Sequence, residues 1–227
     1  MRLAEHYAQL WNGSVQKFRE RAFELDPLID HESDTRYGIT LLLRPCAEVK
    51  RRILTFLHEL HTIEPSQYYY PGTDFHVTVM SIVSCYPGFS LEQVQVQKYI
   101  DAITVCLKRI NRFDLSFRGI TASSSCVMIQ GFPGNQMLEM SRDAVREHFL
   151  RSPLQQSIDT RYAIRTAHAT VARFRRKPTH TAQFINVLKR YREYDFGTCE
   201  VAAYELVFND WYLRAHQVQH LHTFLLG

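Results

Sequence analysis

Two short stretches of this 227-residue chain carry the residue types of acid–base chemistry at the same spacing. They are His76-Val77-Thr78-Val79 and His168-Ala169-Thr170-Val171, each an imidazole, an apolar residue, a hydroxyl and a second apolar residue. Side chains alternate faces along a strand, so in each stretch His and Thr point toward a cleft or solvent and the apolar pair points into a core. With 11 His and 15 Thr, about 0.7 His-x-Thr triplets are expected by chance, and about 0.15 once both alternate positions must be apolar. Two such triplets on expected strands are therefore a signal. Imidazole titrates near neutrality, so one His can take a proton while the other gives one. A threonine hydroxyl beside each can donate to a phosphoryl oxygen and hold the phosphorus between the two rings. This set needs no metal. It suits an activated phosphodiester such as a strained cyclic phosphate, each positioned acid or base being worth about 10²- to 10⁴-fold.

The elements that must position these residues follow from periodicity and breakers. An amphipathic helix is expected from Leu3 to Phe23, interrupted at Asn12-Gly13-Ser14, and residues 1–35 read as an N-terminal helical extension. A strand at Tyr37 to Leu43 precedes a helix from Ala47 to Ile63 with Val49, Ile53, Phe56, Leu57 and Leu60 on one face. Strand Phe75 to Ser84, helix Leu91 to Ile110 and strands Phe113 to Thr121 and Cys126 to Phe132 come next. The order then restarts, with a helix to Leu150, strand Ala167 to Phe174, helix Thr181 to Arg192, strand Val201 to Phe208 and a last strand, Gln217 to Leu226. Matching helices start at Ala47 and about Gln136, and matching strands centre on His76 and His168, offsets of 89 and 92 residues. Near-equal offsets imply two strand-helix-strand units, around 36–122 and 125–208, within one bilobal domain at 36–227. The expected fold class is α+β: two pseudo-symmetric antiparallel or mixed sheets, helices on the outer faces, and a central cleft.

The two motifs resemble those of the 2H phosphoesterase superfamily, which includes LigT-like 2'-5' RNA ligases and cyclic phosphodiesterases. His168-Ala169-Thr170-Val171-Ala172-Arg173 is similar to the family's H-x-T-L-A-R form, and His76-Val77-Thr78-Val79-Met80-Ser81 keeps the H-x-T-x core without the downstream Leu-Gly. The likeness spans Tyr37 to Leu226. It implies a bilobal fold whose cleft brings His76, His168, Thr78 and Thr170 around one phosphate, with His76 as the acid and His168 as the base. The substrate it implies is a 2',3'-cyclic phosphate at an RNA end, a small cyclic nucleotide or an ADP-ribose-type cyclic phosphate. Ligation is the reverse direction. A catalytically inactive nucleotide- or RNA-binding module using the same cleft is the alternative.

Four further residues are candidates for substrate binding. Tyr70, after Tyr68 and Tyr69, can stack on a base or pack at a strand entry, and Phe174 raises the same question. Arg175 is expected in a turn at the cleft rim with Arg176 and Lys177, facing a nucleic-acid backbone or solvent. Arg173 ends the second motif, but strict alternation puts it on the face opposite Thr170.

Other classes lack support. His58-Glu59-Leu60-His61 has no H-E-x-x-H spacing, and His216, His220 and His222 share parity with no accompanying Cys or carboxylate pattern, so no metal or other cofactor is expected. A dinucleotide or P-loop glycine signature and a serine nucleophile elbow are also missing. No apolar run approaches the ~20 residues of a membrane span, and the N-terminus does not read as a signal peptide. Five widely spaced cysteines read as reduced thiols of a cytoplasmic protein, expected to be monomeric. A net charge of +4 mildly favours anionic ligands.

Overall fold

The computed structural model describes residues 3–160 and 163–227. Five α-helices and nine strands follow in the order α1 (Leu3–Arg19), β1 (Arg36–Leu43), α2 (Ala47–Ile63), β2 (Tyr68–Tyr69), β3 (Val77–Pro87), α3 (Val96–Leu107), β4 (Phe113–Ala122), β5 (Cys126–Pro133), α4 (Met137–Arg151), β6 (Ala169–Arg173), α5 (Thr181–Arg190), β7 (Asp195–Val201), β8 (Ala203–Asp210) and β9 (Gln219–Leu225). They form two antiparallel sheets of order β3-β1-β8-β9 and β2-β6-β5-β4-β7. The first is covered by α3 and α4, the second by α1 and α2, with α5 packed against both of those helices. No helix of the described residues is long and apolar enough to cross a membrane.

Two strand-helix-strand successions, β1-α2-β3 and β5-α4-β6, follow one another with β1 and β5, and α2 and α4, each starting 90 residues apart. The units are not two contiguous lobes, because their elements are exchanged. Helix α2 leaves the first sheet and packs on β6, β7 and α5 of the second, while α4 leaves the second and packs on β3 of the first. Strand β4 joins the second sheet, and β8 and β9 return to the first. Each His-x-Thr motif begins where the chain comes back from the opposite lobe, which is why both lie at the junction.

Local chemistry explains the elements. The apolar residues of α2 bury Val49, Ile53, Phe56, Leu57 and Leu60, the stripe expected from its periodicity. Leu41, Leu42 and Leu43 are all buried because β1 is a central strand with both faces covered. The stretch expected as one helix from Leu91 divides into a 3-10 turn, Leu91–Gln93, and α3. Strands β2 and β7 were not expected. The first is two residues paired to β6, and the alternation of the second is interrupted at Gly197, whose φ is +106°.

The N-terminal segment is integral to the second lobe. Phe18 and Phe23 stack on each other and meet Phe174 edge-on, and the Tyr7 hydroxyl accepts from Ala167 N and Gly131 N. Helix α1 also runs through Asn12-Gly13-Ser14 without interruption, since burial of Tyr7, Val15 and Phe18 offsets the helical cost of glycine. A Cβ at Gly13 would meet nothing within 4 Å. Gly13→Ala is therefore expected to raise stability by about 0.5–1 kcal/mol, read as a higher denaturation midpoint at unchanged slope.

The cysteines depart from the expectation of five thiols. Cys46 and Cys199 form a disulfide, their Cα atoms 5.7 Å apart, linking the start of α2 to β7. Their separation of 153 residues leaves no spacing signal in the sequence. Cys85, Cys106 and Cys126 take no part in a disulfide.

Candidate active site

His76, Thr78, His168 and Thr170 line one cleft between the two sheets, together with Arg173, Ser81, Ser84, Thr166, Asn209 and Trp211. Thr78 and Thr170 sit on β3 and β6, and each His lies just before its strand.

Both strands carry a β-bulge directly after the threonine. Leu42 pairs with Thr78 but Leu41 with Met80, leaving Val79 as the extra residue, and Met128 pairs with Thr170 but Val127 with Ala172, leaving Val171 extra. Val79 and Met80 are consequently both buried, as are Val171 and Ala172, with Met80 also lining the cleft, and the strand's alternation resumes one residue late. Arg173 is brought to the cleft by this shift, against the alternation argument. Its repeat-related position is Ser81, also five residues beyond a His, so the two motifs bring a cation and a neutral hydroxyl to matching places.

Each imidazole is held through Nδ1. His76 Nδ1 lies 2.8 Å from the Asp74 carbonyl, and His168 Nδ1 lies 2.6 Å from the Thr166 hydroxyl. The Asp74 carbonyl can only accept, so His76 Nδ1 carries hydrogen and its neutral ring keeps the Nε2 lone pair free. The Thr166 hydroxyl can donate or accept, so it satisfies His168 Nδ1 both in the neutral ring and in the imidazolium. Burial lowers the pKa of both rings to about 4, and for His168 the proximity of His76, Arg142 and Arg173 adds to it.

Arg142, on α4, joins the two motifs. Its side chain is 1% exposed and donates to Val79 O at 3.1 Å, Thr78 O at 3.0 Å and Thr166 O at 2.8 Å. One guanidinium thus spans the backbones that carry Thr78 and orient His168. The fork geometry of arginine, with five donors, is what lets one side chain do this. A single Arg inside a helix has no distinguishing mark in sequence. Thr166 does, since it shares strand parity with His168 and Thr170.

The other sequence candidates are placed differently. Tyr70 is 2% exposed, and its hydroxyl accepts from Arg173 Nε at 2.8 Å, so it holds the arginine instead of offering a face to a base. Burial opposes the charge on Arg173, yet Tyr70, Cys126 and Asp26 outweigh it and the guanidinium's pKa is raised. Phe174 is 1% exposed inside the aromatic cluster of Phe18, Phe23 and Phe184, with no face for stacking. Arg175 does not line the cleft: it pairs with Asp30 at 2.6 Å and lies over the Tyr68 ring in a neighbouring groove. Among the described residues no three His, Cys, Asp or Glu side chains gather as metal ligands would.

Comparison with known proteins places this architecture. No family model and no curated protein matches the sequence. Solved structures do match: E. coli LigT in complex with 3'-AMP superposes with a TM-score of 0.59 at 15% identity, covering 85% of this chain and 99% of LigT. TT0787 of Thermus thermophilus matches with a TM-score of 0.55 at 14% identity, covering 83% and 97%. A protein described as a phosphoesterase gives 0.52 at 13%, covering 85% and 99%. The fold is that of the 2H phosphoesterases, as the two His-x-Thr motifs led us to expect.

Proposed function

We propose that the protein is a phosphodiesterase that opens a 2',3'-cyclic phosphate, at an RNA end or on a small nucleotide, between His76 and His168. The observation that carries this is the convergence of two bulged His-x-Thr strands, 92 residues apart in sequence, on one cleft that also holds the Arg173 cation. The binding of 3'-AMP by LigT supports a nucleoside phosphate as the ligand class.

In the step, His76 Nε2 takes a proton from water as its oxygen bonds to phosphorus. The bond from phosphorus to one ribose oxygen breaks, and His168, protonated as the imidazolium in the complex, gives its Nε2 proton to that oxygen, leaving a phosphomonoester. Thr78 and Thr170 donate to the non-bridging oxygens and Arg173 balances their charge. This order is the reverse of the one the motif resemblance implies, and the Nδ1 partners are compatible with it: the Asp74 carbonyl leaves the neutral His76 Nε2 free to accept, and the Thr166 hydroxyl can accept from a protonated His168. A ribose hydroxyl in place of water would run the same groups toward a new phosphodiester.

The low imidazole pKa values have a kinetic consequence. With a pKa of about 4, His168 is mostly neutral at pH 7 in the empty cleft. A bound phosphodiester anion favours the imidazolium and raises that pKa. The alkaline limb of kcat, which reports the complex, is therefore expected at higher pH than that of kcat/KM, which reports the free enzyme. Initial rates from pH 4 to 9 check this, and coincident limbs would remove the coupling.

The test of function is hydrolysis of 2',3'-cyclic AMP and of an RNA oligomer ending in a 2',3'-cyclic phosphate, run in EDTA. Ring opening is the expected result, and the preferred substrate separates mononucleotide from RNA end. Salt-sensitive binding of the oligomer with no turnover would instead define an inactive binding module.

A further inference from the structure

Beyond the phosphate position, the cleft continues along the first sheet. A second bulge in β3 leaves Ile82 extra between Ser81, paired with Thr40, and Val83, paired with Ile39. Thr78, Ser81 and Ser84 therefore recur every three residues and all line the cleft. The bulged strand presses on β1 at Gly38, where a Cβ would come 2.3 Å from Val83 O, so only glycine fits there. Asn209 on β8 pairs directly with Gly38 and lines the cleft.

Asn209 is 1% exposed, and its two polar atoms differ in their partners. Nδ2 donates to Asp210 O at 2.8 Å and faces Cys85 Sγ at 3.6 Å. The Asp210 carbonyl can only accept, so the amide cannot be turned over. Oδ1 is buried with no hydrogen-bond partner. A buried acceptor left open costs stability, and one that lines a cleft gains most from a ligand that brings a donor. Trp211, whose ring has the Arg36 guanidinium 4.6 Å from its centroid, lines the same cleft.

We infer that this end of the cleft is a nucleobase subsite in which Asn209 Oδ1 accepts from an amino group on the base, as adenine presents, beside the aromatic surface of Trp211. This deepens the cyclic-nucleotide reading and rests on it for the sugar and phosphate. It makes Asn209 a specificity determinant that touches the substrate away from the reacting atoms.

The test compares adenosine 2',3'-cyclic phosphate with the 2',3'-cyclic phosphate of purine riboside, which differs only in lacking the amino group. Wild-type kcat/KM is expected to favour the adenosine compound by about 10- to 100-fold, and Asn209→Ala to bring the ratio near one. Because Asn209 lies in a packed strand, binding of 3'-AMP and purine riboside 3'-monophosphate to the wild type is measured by calorimetry in parallel, with the same preference expected. Turnover of both cyclic compounds within twofold overturns the subsite while leaving the hydrolase intact. Absence of turnover removes the hydrolase reading, and the calorimetric pair still decides the subsite: tighter 3'-AMP supports it, equal or absent binding overturns it.

Discussion

His76→Ala and His168→Ala are each expected to lower kcat for 2',3'-cyclic nucleotide hydrolysis by about 10²- to 10⁴-fold, with the fold unchanged. Both rings lie at the lobe junction and face the cleft. Each is anchored through one Nδ1 contact, to Asp74 O or to the Thr166 hydroxyl, so truncation removes a proton carrier without opening the main core. The two losses should not add, because acid and base act in one concerted step and removing either disables it. The double variant is expected near the level of the poorer single variant. Single-turnover rates at saturating substrate, with unfolding midpoints alongside, check this. Substantial turnover surviving in both single variants would sink the two-histidine mechanism.

Arg142→Met is the other large expected effect, on stability and rate together. The substitution conserves much of the apolar stem but leaves Val79 O, Thr78 O and Thr166 O without their shared donor. Each buried unsatisfied acceptor costs about 1–3 kcal/mol, while relief of burying a guanidinium returns part of that, so a net loss of about 3 kcal/mol is expected. Because those carbonyls belong to the backbone that carries Thr78 and leads into His168, kcat in the folded fraction should fall more than KM rises. Arg142→Lys, which keeps charge but not the fork, should recover part of the stability and little of the rate. A stability within about 0.5 kcal/mol of wild type, or a change confined to KM, would show that Arg142 does not align the two motifs.

Much of this protein was legible in its residue order. The bounds of α2 and its buried stripe follow from spacing alone, since a 3.6-residue period needs only neighbours in sequence. The two His-x-Thr stretches, their strand setting and the repeat offset are equally local, and they pointed to the fold the structure has. Segments whose pairing decides their conformation were not legible: Tyr68–Tyr69 is a strand only because β6 lies beside it, and β7 carries a glycine where its alternation breaks.

What residue types and spacing determined by themselves is the chemistry on offer: two imidazoles, two hydroxyls and α+β elements repeated at about ninety residues. Tertiary structure decided which lobe each helix covers, that Arg142 spans both motifs, that Cys46 meets Cys199, and that Arg173 faces the cleft while Arg175, Tyr70 and Phe174 serve other contacts. The physical reason lies in register. A bulge belongs to a pair of strands and not to either sequence, and one extra residue after Thr170 reverses the face of every side chain beyond it.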